Sequence, residues 1–168
     1  SRQSKEAPQM IKNIFGKTGE NVWVEAPFHC DYGWNIEVGE NFYSNYNLTI
    51  LDVGKVTCGK NVQIAPNVSI YTAGHPVHPD SRNSGYEYGI PVTVGDNVWI
   101  GGNTVILPGV TVGSNVVIGA GSVVSKDIPD NTIAAGNPCK VIRKITDEDR
   151  IYYFKKQKFD DEAWEEVK

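Results

Sequence analysis

The run VGDNVWIGGNTVILPGVTVGSNVVIGAGSVV, residues 94–124, repeats every six residues, and that period decides the fold. Val94, Ile100, Ile106, Val112, Ile118 and Val124 are aliphatic and keep the spacing without a slip. Gly follows four of them directly, at Gly95, Gly101, Gly113 and Gly119. A small or β-branched residue stands four places on, at Val98, Thr104, Val110, Val116 and Ser122. A period of six fits neither a helical stripe nor the two-residue alternation of an ordinary strand. It fits a solenoid whose coil has three short sides, each hexad supplying a brief strand and a turn. One aliphatic residue per side is expected to point inward and to stack on its equivalent eighteen residues later. Gly and small polar residues are expected at the corners, where a bulky side chain or a negative φ obstructs the bend. The expected fold is all-β, a parallel β-helix.

The same period runs earlier in the chain. Val38, Ser44 and Ile50 are in phase, with Leu48 adding to the inward set; Cys58, Ile64 and Ile70 continue the phase two residues late. That displacement predicts a longer corner near Asp52-Val53-Gly54-Lys55. Residues 71–93 break the pattern and are rich in Pro, Gly, Tyr and charge, yet Ile70 and Val94 lie four hexads apart. The stretch therefore reads as a loop thrown out from one corner, and long loops in compact repeats usually carry function. The organisation expected is an N-terminal helical segment (1–20), the β-helix with its excursion loop 71–93 (21–143), and a C-terminal helical extension (144–168). In the first, residues 8–15 have Pro near the start, apolar side chains on one side and Gly16 as a stop. In the last, Thr146 to Asp149 resemble a capping box opening a helix through Lys158, followed by a short helix from Asp160 that carries Trp164. Both ends would cover the open ends of the solenoid, with their unpaired strand edges.

The composition suits one domain: 168 residues, 40% hydrophobic, with 17 glycines that corners account for. A net charge of −4 gives no general attraction to nucleic acid or anionic membranes. No apolar run approaches a membrane-spanning length and no signal-peptide pattern opens the chain. Cys30, Cys58 and Cys139 are odd in number and lack metal or redox spacing, which points to a reduced, cytoplasmic protein. Cys58 falls on an inward position and reads as a small buried hydrophobe.

Of three histidines, His75 has the strongest claim to chemistry. It stands at the mouth of the excursion, and Pro76 biases it toward an extended backbone that points off the coil. An imidazole is well suited to take a proton near neutral pH; position alone favours a solvated loop histidine. His75 and His78, three apart across two prolines, make a poor metal pair, so no metal site is expected. His29 reads as a wall residue with its needs satisfied.

Six ordered blocks, at 30–33 (CDYG), 45–49 (NYNLT), 71–76 (YTAGHP), 95–102 (GDNVWIGG), 118–124 (IGAGSVV) and 136–142 (GNPCKVI), make the chain similar to the maltose/galactoside O-acetyltransferase branch of the hexapeptide acyltransferases. The resemblance covers essentially the whole chain. It implies a left-handed β-helix, a homotrimer with active sites between subunits, and acetyl-CoA as the acetyl donor. It implies that His75 is the general base deprotonating a sugar hydroxyl, and that Asn45 binds the acceptor and steadies the tetrahedral intermediate. Asp31 falls on an acceptor-binding position, with Asp in place of the Ser of the galactoside enzymes. Gly102 and Ala120 would face the pantetheine arm, Ser125 and Lys126 would line the path beyond it, and Lys140 and Arg143 would hold the nucleotide phosphates. Trp99 would pack on acceptor or cofactor, or in a subunit interface.

Two departures bear on the acceptor. Val53 replaces an Asp that contacts the sugar in the galactoside enzymes, and the Leu-Asp-Val run resembles the maltose enzymes instead. The chain also begins late relative to the family pattern, whose additional N-terminal helical stretch supplies part of the acceptor pocket. The expected reaction is O-acetylation of a maltose- or glucose-like acceptor by direct transfer in a ternary complex, since no residue forms an obvious activated nucleophile. An amino sugar, a galactoside or a xenobiotic alcohol would use the same base and groove. A non-catalytic β-helical scaffold would show a flat Thr-rich face or no loop, and a zinc lyase on this fold would need three well-spaced histidines.

Overall fold

A computed structural model describes residues 7–167. Residues 1–6 of the expected N-terminal segment, and Lys168 of the C-terminal one, lie outside the described residues. The chain winds into a three-sided prism of short parallel strands. The first face carries Val22–Val24, Phe42–Ser44, Gln63–Ile64, Trp99–Ile100, Val117–Ile118 and Thr132–Ala135, closed by the antiparallel strand Lys140–Lys144. The second carries Phe28–Cys30, Leu48–Leu51, Ser69–Tyr71, Val105–Ile106 and Val123–Val124; the third Ile36–Val38, Val56–Cys58, Val92–Val94 and Thr111–Val112.

Strand register turns the six-residue period into three stacks. Ser44, Ile64, Ile100, Ile118 and Ala134 climb the first face. Cys30, Ile50, Ile70, Ile106 and Val124 climb the second, and Val38, Cys58, Val94, Val112 and Ile128 the third. Each side buries two residues, not the single one expected from the sequence. In a three-residue strand the first and third side chains share a face, so Val98, Val110 and Val116 join Ile100, Val112 and Ile118 in the core. Cys58 lies there too, and burial pushes its thiol up to about 12.

The corners differ from expectation in an instructive way. Gly95 is needed because a Cβ there would sit 2.5 Å from Ser114 Oγ and 2.8 Å from the Gly113 carbonyl carbon, on the next coil. The left-handed backbone conformation falls two residues later, on asparagine. Asn41, Asn61, Asn97, Asn115 and Asn131 turn the edge between the third and first faces with φ of 55–59°. Asparagine tolerates this region better than other residues bearing a Cβ. Their amides also form a ladder, Asn21 Nδ2 donating to Asn41 Oδ1, and so on through Asn61, Asn97 and Asn115 to Asn131, at 2.7–2.9 Å.

Every surplus residue leaves at one place. From the second face to the third the chain takes eight residues (Cys30 to Val38), eight again (Ile50 to Cys58), then twenty-four (Ile70 to Val94), before tightening to six (Ile106 to Val112). The longer corner expected near 52–55 is one of these, and a second at 31–35 accompanies it. The excursion itself spans 72–91, a residue or two inside the expected limits, because Tyr71, Val92 and Thr93 complete strands of the prism.

The N-terminal helix covers one end of the prism. Helix Ala7–Ile14 lays Ile11, with Phe15 just beyond, on the first coil, where the Phe15 and Phe28 rings meet edge-on at 5.5 Å. The C-terminal region is not the helix expected through Lys158. Thr146 N–H donates to Asp149 Oδ2 at 2.9 Å, as a capping box should, but only the 3₁₀ turn Asp147–Ile151 follows. Tyr152–Phe154 then pairs antiparallel with Gln157–Lys158, turning at Lys155 with φ 51°. Three consecutive aromatics favour a strand over a helix, and the helix begins only at Asp161–Val167.

Replacing Asn97 by Ala is expected to cost about 2 kcal/mol, from left-handed strain and lost amide bonds. Asn97→Gly, which relieves the strain and loses only the bonds, should cost less; urea unfolding measures both.

Candidate active site

The wide edge, between the second and third faces, collects Asp31, Val53, His75, Ser125 and Lys126. Its keystone is a residue not singled out from the sequence as functional. Asp52 is fully buried and accepts three backbone N–H groups of the coil before it, from Asp31 (3.0 Å), Tyr32 (2.9 Å) and Gly33 (2.7 Å). Its own carbonyl accepts Asn35 Nδ2 at 2.8 Å. A buried carboxylate is tolerable only with such partners, and here they hold the corner 31–35 in shape. Gly33, at φ +85°, makes the bend.

The excursion is an ordered projection. Thr72 is buried; its Oγ1 donates to the Leu51 carbonyl at 2.6 Å and accepts Gly54 N–H at 2.8 Å. Ile90 N–H donates to the Thr72 carbonyl at 2.8 Å, and Ala73–Gly74 pairs antiparallel with Tyr88–Gly89, so the neck is closed. His75 is the first residue beyond the neck and is exposed. Its Nδ1 lies 3.0 Å from the Tyr86 carbonyl oxygen. A carbonyl only accepts, so in the neutral imidazole this contact places the proton on Nδ1 and leaves the lone pair on Nε2. His78 does different work: its Nδ1 accepts Asp80 N–H at 3.2 Å and caps the helical turn Pro79–Asn83. His29, expected as a wall residue, points outward from the second face and is exposed. Among the described residues, no group of three His, Cys, Asp or Glu side chains is arranged to hold a metal ion.

Electrostatics on this edge favour protonated groups. Loss of surrounding water, then the charges of Asp52 and Glu87, raise the Asp31 carboxyl above its ordinary value. Burial, then Asp52 and Asp31, raise the Cys30 thiol. Burial also raises Cys139, against a lowering hydrogen bond from Ser122.

The tight edge, between the first and second faces, holds Asn45, Gly102 and Ala120. Asn45 Oδ1 accepts Tyr46 N–H at 2.8 Å, so the donor end of its amide is not spent on this contact. Inward hydroxyls brace this edge: Thr104 Oγ1 donates to the Gly101 carbonyl at 2.7 Å, and Ser122 Oγ to that of Gly119. Within one chain His75 and Asn45 thus stand on opposite margins of the second face, a side of six residues that spans on the order of 15–20 Å.

Trp99 projects from the first face, 55% exposed, beside a cavity of about 300 Å³ shared with Asn61 and Gln63. Lys140 and Arg143 lie on the strand that closes this face. Arg143 already has a partner: Nη1 and Nη2 grip the two carboxylate oxygens of Asp149 at 2.7 and 2.6 Å. The guanidinium holds the Asp149 carboxyl well below the usual range. The pair borders a cavity of about 520 Å³ with Lys144, Thr146, Glu148 and Tyr152. Asp149 was read from the sequence only as a cap.

The pattern of the bacterial transferase hexapeptide family (six repeats) matches residues 91–126. A galactoside O-acetyltransferase of Escherichia coli is 57% identical over 149 residues, covering 89% of this chain and 73% of the relative. Among solved structures, a galactoside acetyltransferase in complex with coenzyme A superposes with a TM-score of 0.92 at 54% identity, over 95% of this chain and 81% of that one. A maltose O-acetyltransferase of Clostridium difficile superposes with a TM-score of 0.85 at 56% identity, over 86% and 78%.

Asp52→Asn turns one acceptor of the keystone into a donor facing an N–H and is expected to cost about 1–3 kcal/mol of stability. Removing the charge should also lower the Cys30 thiol pKa, read as faster alkylation of Cys30 at mildly alkaline pH. An unchanged alkylation profile would show that Asp52 does not govern this edge.

Proposed function

The chain belongs to the hexapeptide-repeat acetyltransferases as a left-handed β-helical, acetyl-CoA-dependent O-acetyltransferase, and we propose that it acetylates a sugar hydroxyl of a maltose- or glucose-like acceptor with His75 as general base. The observation that carries this reading is the contact of His75 Nδ1 with the Tyr86 carbonyl, which leaves Nε2 free to accept a proton at the mouth of an ordered projection.

In the proposed reaction, Nε2 takes the proton of the acceptor hydroxyl as its oxygen attacks the thioester carbonyl carbon. The carbonyl π pair moves to oxygen, and the amide of Asn45 donates to that oxyanion. When the intermediate collapses, the C–S bond breaks and the His75 imidazolium returns the proton to the departing thiolate. The products are the O-acetyl sugar and CoA. A placed base contributes about 10²–10⁴-fold and one oxyanion donor about 3 kcal/mol. Direct transfer is favoured over an acetyl-enzyme because all three cysteines have raised thiol pKa values and a thiol, unlike a thiolate, is a poor nucleophile.

The division of residues between two edges supports a homotrimer whose sites lie between subunits. The wide edge of one copy would contribute Asp31, His75, Ser125 and Lys126, and the tight edge of the next Asn45, Gly102 and Ala120. Small corners at Gly102 and Ala120 let the pantetheine arm come close. Lys140 and Arg143 would take the nucleotide phosphates, Arg143 by sharing or exchanging its hold on Asp149. Trp99, on the first face, would contribute to acceptor or cofactor packing. No helix among the described residues is long and apolar enough to cross a membrane. A cytoplasmic location accords with three cysteines that form no disulfide.

Thiol release from acetyl-CoA should depend on maltose or glucose and fall by several hundred-fold or more in His75→Ala, within the range of a general base, with CoA affinity retained. Release with a thiogalactoside or glucosamine but neither of these sugars would move the acceptor. Full activity in His75→Ala would overturn the base.

A further inference from the structure

Two large aromatic side chains stand on the wide edge with no part in the chemistry described. Tyr32 is 48% exposed and Trp34 64% exposed, and their rings lie 4.9 Å apart, tilted by 31°. Isolated exposed aromatics are ordinary; a pair held side by side at a site is not. These two are held by the backbone between them. Tyr32 and Gly33 each donate an N–H to Asp52, and the left-handed bend at Gly33 brings residues 32 and 34 to the same side. The Trp34 backbone is fixed as well, packed so closely on Gly16 that a Cβ there would lie 2.1 Å from the Trp34 carbonyl oxygen. Rings set in place before a ligand arrives lose little freedom on binding it.

Their position along the prism limits what they could touch. They sit on the first coil, and the excursion bearing His75 leaves the third. Two coil spacings amount to about 10 Å along the edge. Asp31 lies beside Tyr32, and the return strand of the excursion packs down on the corner of the second coil, where a Cβ on Gly89 would lie 2.9 Å from the Val53 carbonyl carbon; Glu87, next to that strand, is near enough to help raise the Asp31 carboxyl. A single pyranose held at His75 does not span that distance; a second ring joined to it does.

We propose that Tyr32 and Trp34 form a stacking platform for the second pyranose ring of the acceptor, with Asp31 between the platform and His75 to take hydroxyls. A pyranose presents a face of C–H bonds to an aromatic ring and a rim of hydroxyls to a carboxylate, which is the chemistry this edge offers. The platform makes a two-ring acceptor better than its one-ring counterpart without touching the reacting atoms. It rests on the sugar reading above.

The test compares maltose with glucose in wild type, Trp34→Ala and Trp34→Phe. The ratio of kcat/KM for maltose over glucose should fall about five- to tenfold in Trp34→Ala, carried by KM for maltose, and largely recover in Trp34→Phe. A wild type that uses glucose as well as maltose overturns the platform and leaves the enzyme standing. Equal losses on both sugars, with an altered elution volume on size exclusion, overturn it in favour of a contact between copies of the chain. Saturation-transfer NMR with maltose separates the two readings. If wild type acetylates no sugar but binds maltose through Trp34, the acetylation reading falls and the platform stands. If it neither acetylates sugar nor binds maltose, both fall.

Discussion

The prism stands on register. Each strand is hydrogen-bonded to the one a coil below, so an inward side chain lies over its predecessor only if every coil returns to phase. A single unmatched residue would turn core outward, because side chains alternate along a strand. Extra chain is therefore admissible only at corners, and in this molecule it is confined to one of them. Corners of eight, eight and twenty-four residues follow each other up the same edge, while the other two edges keep their short turns. The geometry that stabilises the core thus gathers Asp31, Val53 and His75 on a single ridge, although 44 residues separate the first from the last.

That ridge is steadied by polar contacts between coils. Asp52 serves the corner below it and Thr72 the corner between, so three successive corners are bonded in series. The Tyr86 carbonyl then acts on His75 from inside the projection, without help from the prism. The tight edge is arranged differently: hydroxyls of Thr104 and Ser122 lie inside and bond its carbonyls, leaving a narrow rim of small residues. One edge is built outward and the other pared down, which is the complementarity two copies of one chain would need.

Much of this was legible in the sequence. The hexad period named the fold, the two-residue slip placed a long corner near Val53, and the interruption at 71–93 located His75. Motif resemblance added Asn45 and the residues proposed to face the acetyl donor. What stayed hidden has physical causes. The glycines drew attention to the corners, but along the edge between the third and first faces the positive φ belongs to asparagines, since Gly95 answers to the coil above and not to its own backbone. Asp52 looked like any aspartate in a turn; its three donors are main-chain groups twenty residues away, invisible to side-chain patterns. Tyr86 acts through its carbonyl, which no residue type reveals. Thr146 to Asp149 carried a true helix-start signal, and the aromatics after it overrode its continuation.

The closed neck at Thr72 and Ile90 has a consequence for how such a protein changes over generations. Everything beyond it hangs outside the register that folding requires, so the projection's tip can be lengthened, shortened or rewritten with little effect on the stacks. The prism and the projection are then inherited as separable parts of the chain. A lineage could rewrite the tip while the prism keeps its shape.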